Sequence, residues 1–70
     1  MTKAETERHL FNIYQEWLRE NINMREKELS FWGYINSLPN FTEFGFGRDI
    51  PYQRTAMWVR EWSSNLGINS

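Results

Sequence analysis

Cysteine is absent from the 70-residue chain, and histidine occurs once, as His9. The first absence excludes disulfides. Together they exclude the thiolate and imidazole zinc clusters that hold many small domains together. No apolar stretch approaches the roughly 20 residues a membrane-spanning helix needs. Charge of one sign is lacking too: eight Lys and Arg against nine Asp and Glu leave a net charge of −1. No overall field therefore favours nucleic acid or an anionic membrane. The first ten residues carry none of the apolar run of a signal peptide, so the expected location is cytoplasmic, with no membrane partner. Asn40-Phe41-Thr42 spells a glycosylation sequon, which no secretion signal supports.

The parts of an active site are equally scarce. No Ser stands in a nucleophile elbow, and no Gly-rich phosphate loop leads into a helix with a suitably placed Lys. The carboxylates fall mainly on solvated helix faces. His9, beside Leu10 near the start of the first helix, reads as a surface or boundary residue rather than a base. The expectation is a protein that is not an enzyme, with no cofactor, no metal and no identified small-molecule substrate.

Aromatic residues are plentiful by contrast: five Phe, four Trp and three Tyr. A domain of this length buries only about 60% of the surface its unfolded chain exposes. Rings that each bury about 150–250 Å² can substitute for a larger core. Twelve of them are also enough to leave a surplus for a partner surface.

Periodicity predicts one all-α domain over residues 1–70: a small three-helix orthogonal bundle, with an up-down bundle as the alternative. Helices are expected at about 3–20, 24–37 and 50–66, with an aromatic-rich loop at 38–49. Thr2 and Glu5 form a capping box ahead of the first helix, in which Leu10, Phe11, Tyr14, Trp17 and Leu18 share a face. Asn23 and Glu26 offer a similar cap for the second. There Phe31, Ile35 and Leu38 make a stripe that Leu29 and Trp32 widen. Gly33 weakens this helix and offers room for a ring from another helix. Pro39 ends it. In the loop, Thr42 starts a single helical turn, or Phe44 to Gly47 runs extended; the residues support both. Asp49 is the expected N-cap of the third helix, and Pro51 suits its first turn. Its inward face is read as Tyr52, Ala56, Val59 and Leu66, with Trp62 at the edge. Gly67 is the expected C-terminal cap, with Ile68 folding back on Trp62.

That phase turns Trp58 away from the core. Trp, Tyr and Arg dominate interface hot spots, so helix 3 carries the candidate contacts: Tyr52, Gln53, Arg54 and Met57, then Trp58, Arg60 and Glu61. Phe44, Phe46 and Arg48 are secondary candidates in the loop, although the loop Phe side chains read better as staples closing over the core. The leading expectation is a protein-interaction module, adaptor-like or inhibitor-like, whose partner is another protein or a second copy. Small cytoplasmic proteins of this kind are frequent in phages and prophages, the expected origin.

Ile50 to Trp62 also resembles the recognition helix of helix-turn-helix DNA-binding proteins, with Pro51 near the start, Arg54-Thr55, then Trp58 and Arg60. The resemblance covers 13 residues. It implies that Tyr52, Gln53 and Arg54 reach base edges while Arg60 meets phosphate. An ordinary amphipathic helix with solvated arginines accounts for the same residues. A fainter likeness, carried by Glu16-Trp17-Leu18 and Asn40-Phe41, is to small bacterial helical domains of the YozE type, which look like sterile-alpha-motif folds. It implies a compact helical fold and no defined activity. The Pro usual after that Phe is replaced by Thr42.

Overall fold

The computed structural model describes residues 1–68. They form an all-α three-helix bundle: α1 (Lys3–Asn21), α2 (Lys27–Asn36), a 3-10 turn (Phe41–Glu43) and α3 (Pro51–Leu66). The capping box at α1 is present in both directions. Glu5 N donates to Thr2 Oγ1 at 3.1 Å and Thr2 N to Glu5 Oε1 at 2.9 Å. Thr6, Leu10, Tyr14, Trp17 and Leu18 line the buried side of α1.

The second helix starts three residues later than periodicity suggests, and the Asn23–Glu26 cap does not form. Its N-cap is Glu26, in the left-handed region at φ 51°, with no side-chain cap hydrogen bond. The connection serves Lys27 instead. This side chain is buried and its ammonium donates to Met24 O at 3.0 Å. Seating Lys27 on the inward side sets the phase of α2, so Phe31 and Ile35 are buried while Leu29 lies outside, 52% exposed. Gly33 receives no neighbouring ring: nothing lies within 4 Å of where its Cβ would stand.

The loop combines parts of the two foreseen forms: the turn begins at Phe41 rather than Thr42, and the extended stretch ends before Gly47, which turns at φ 61°. The 3-10 turn comes first, then extended backbone from Phe44 (φ −73°, ψ 134°). Phe44 and Phe46 are buried and Phe41 packs against the core, so the loop closes the bundle. They are therefore unavailable as contact residues. The loop is held against the start of α1. Gly45 N donates to Thr6 Oγ1 at 2.7 Å, and the Met1 ammonium donates to Glu43 O at 3.0 Å. The Met1 carbonyl lies where a Cβ on Gly45 would have to go, which explains a glycine between two buried Phe residues.

Asp49 does not cap α3. Ile50 occupies the N-cap with extended backbone and Pro51 opens the helix. At the other end Gly67 adopts φ 72°, and Ile68 N returns to Ser63 O at 2.8 Å, the geometry that lets Ile68 pack against the core. The buried stripe of α3 is Thr55, Trp58, Val59, Trp62 and Ser63. It is rotated from the one inferred from apolar residues alone, and Tyr52 and Leu66 are exposed. Two hydroxyl residues occupy the stripe, so counting only apolar positions misplaces its centre. Glu28 meets Arg60 and Trp32 meets Tyr52, so later residues of α2 lie against earlier residues of α3.

Candidate protein-interaction surface

Trp58, which the apolar stripe alone places outside, is a core residue, 3% exposed. Its ring stacks between Phe46 (centroids 6.1 Å apart, planes at 30°) and Trp62 (6.1 Å, 18°). The Arg54 guanidinium carbon lies 6.0 Å from the Trp58 ring centroid, within cation–π range. Arg54 is also committed to the fold: its Nε donates to Asp49 Oδ2 at 2.9 Å. Asp49 carries a second ion pair with Lys3. Hydrogen bonds from Lys3 and then Arg54 hold its carboxyl below the usual carboxylate range. Instead of capping α3, Asp49 joins the start of α3 to the start of α1.

The exposed side of α3 is left with Gln53, Met57, Arg60 and Glu61, with Tyr52 at its α2 edge. Met57 is 45% exposed and Tyr52 39%. Met57, Arg60, Glu61 and Ser64 line an open depression along the helix. Tyr52 is anchored from below, its ring tilted against Trp32 with centroids 5.8 Å apart. Arg60 Nη2 donates to Glu28 Oε2 on α2 at 3.3 Å, a loose pair whose guanidinium remains largely solvated. Arg48 is exposed on the loop, apart from this group in sequence.

A second depression lies between α2 and the start of α3, lined by Glu26, Glu28, Leu29 and Tyr52. Sequence periodicity assigns Leu29 to the core stripe and so misses this cleft. The available signal is helical phase: Leu29 is two positions from Phe31, about 200° around the helix. Once Lys27, Phe31 and Ile35 define the inside, Leu29 must face out.

Among the described residues no group of three or more His, Cys, Asp or Glu is placed to hold a metal ion. His9 is exposed, with its ring 5.8 Å from that of Phe44. Between Asn36 and Pro51 stands the aromatic loop, where a helix-turn-helix has a turn of about three or four residues. No helix of the described residues is long and apolar enough to cross a membrane. The chain matches no family model, no curated protein and no solved structure.

Proposed function

We propose that this protein is a non-enzymatic protein-interaction module that docks through the exposed side of α3, with Tyr52, Gln53, Met57, Arg60 and Glu61 as contacts. The observation that carries this is the division of the aromatic and basic residues into two sets. Trp58, Phe44, Phe46 and Arg54 are engaged inside the fold. Met57 and Tyr52 stay substantially exposed beside Arg60. Exposed apolar side chains flanked by an arginine and a carboxylate suit a protein partner: apolar area supplies affinity and the charges supply register.

A DNA-binding role gains little from this arrangement. Arg54 and Arg60 both face carboxylates, and Glu61 sits on the same exposed side as Arg60. The test is affinity capture with the intact chain and with Arg60→Glu, quantified by mass spectrometry, alongside titration with mixed duplex DNA at low salt. A protein retained by wild type and depleted by Arg60→Glu supports the proposal. Salt-sensitive duplex binding weakened by Arg54→Ala and Arg60→Ala, with no such protein, would replace it with the DNA-binding alternative.

A further inference from the structure

The cleft between α2 and the start of α3 has a composition that specifies its occupant. Its apolar lining is Leu29 and Tyr52, with Trp32 supporting the Tyr52 ring. Its acidic lining is Glu26 and Glu28. Glu28 is loosely paired with Arg60 at 3.3 Å, and Glu26, which is exposed, is in none of the ion pairs among the described residues. Glu26, Glu28 and Arg60 sum to one net negative charge, and the most exposed large apolar side chain of α2, Leu29, directly follows Glu28 in sequence. Two exposed apolar side chains gathered at one depression, rather than scattered singly, suit a contact surface. An anionic lining selects the opposite charge in whatever sits on it.

We infer that this cleft binds a short segment of another protein that carries an aliphatic or aromatic side chain next to Lys or Arg. The apolar side chain fills the space over Leu29 and Tyr52, and the cation meets Glu26 and Glu28. A second copy of this chain is less suited, because two acidic linings would face each other. This inference rests on the protein-binding function proposed above and adds to it a second contact region, joined to the first at Tyr52, and the partner chemistry.

The test uses two fluorescent 12-residue amphipathic peptides, one of Leu and Lys and the other of Leu and Glu, with binding to the intact chain followed by anisotropy. Leu29→Lys removes half of the apolar lining and repels a cation while keeping a good helix former at an exposed position. Gln15→Lys makes the same charge change on the exposed side of α1 and serves as control. Thermal melts establish that both variants fold. The Leu/Lys peptide is expected to bind about ten-fold or more tighter than the Leu/Glu peptide, to lose about ten-fold with Leu29→Lys, and to change little with Gln15→Lys. Glu26→Gln is expected to weaken the Leu/Lys peptide alone and to flatten its salt dependence. Equal binding of the two peptides, no binding, or equal losses in the two Lys variants would overturn the inference. So would self-association of the wild type abolished by Leu29→Lys, which would make a second copy the occupant. Capture that still depends on Arg60 after such a result would leave the protein-binding proposal standing without this cleft.

Discussion

The Tyr14 hydroxyl lies 2.7 Å from the Ser63 hydroxyl inside the aromatic core, tying α1 to α3 across 49 positions of sequence. Burial raises the Tyr14 pKa, and the hydrogen bond to Ser63 only partly offsets this. The two hydroxyls are not equivalent. Ser63 can turn to a carbonyl of its own helix when Tyr14 is replaced, whereas Ser63 is the one hydrogen-bond partner of the Tyr14 hydroxyl among the described residues. Ser63→Ala is therefore expected to cost about 1–3 kcal/mol, the penalty of a buried donor without a partner. Tyr14→Phe should cost about 1 kcal/mol. Urea denaturation of the two variants gives the order directly. A neutral Tyr14 also contributes stability at pH values below the ordinary tyrosine value of about 10. That contribution is lost as pH rises through its higher folded-state value.

Two glycines separate by what surrounds them. Gly33 is an exposed helical residue with open space where a side chain would stand. Gly33→Ala should raise stability by about 0.5–1 kcal/mol through helix propensity. Gly45 faces the Met1 backbone. Gly45→Ala should cost about 1–3 kcal/mol and loosen Phe44 and Phe46. Paired thermal melts should therefore move in opposite directions.

Acid should act through the junction of Asp49 with Lys3 and Arg54. The folded-state pKa values of Asp49 and Glu5 are both lowered, Asp49 by its two basic partners and Glu5 by hydrogen bonds from the Thr2 backbone and then its side chain. Their stabilising effect is complete above the ordinary carboxylate range of about 4 and disappears as pH falls through the lower folded values. Asp49→Asn is expected to be less stable at pH 7 and to lose less stability between about pH 5 and pH 2 than wild type. Denaturation midpoints over that interval read both effects.

Thr55 is fully buried, and its hydroxyl is the one side-chain polar atom among the described residues that is buried without a hydrogen-bond partner. Thr55→Val keeps the shape and removes the unpaired hydroxyl. It should be neutral or stabilising by up to about 1–3 kcal/mol, the range for relieving an unsatisfied buried group. A loss of stability comparable to that of Ser63→Ala would contradict that environment.

Much of the fold was legible in the sequence because caps and periodicity act locally. Thr2 and Glu5, the stripe from Leu10 to Leu18, Pro51 and Gly67 each determine structure within a few residues. The errors arose where tertiary contacts decided the outcome. Lys27, a charged residue, is inside and turns Leu29 out. Thr55 and Ser63, polar in sequence, are on the buried side of α3 and bring Trp58 in with them. Asp49 has two cations to satisfy and leaves the cap to Ile50. The candidate site was half legible for the same reason. Met57, Arg60 and Glu61 follow from helical spacing, but their separation from Trp58 depends on which polar residues the core accepts.

Surface binding by α3, with Trp58 serving only the core, is tested most directly by comparing Met57→Glu with Trp58→Phe in one capture experiment, each paired with a thermal melt. Met57→Glu is expected to melt within a few degrees of wild type, as exposed substitutions do, and to lose the captured partner. Trp58→Phe is expected to melt lower by several degrees, for lost packing, while retaining the partner at temperatures where it is folded. Retention of the partner by Met57→Glu and its loss from a fully folded Trp58→Phe would contradict the division between core and surface.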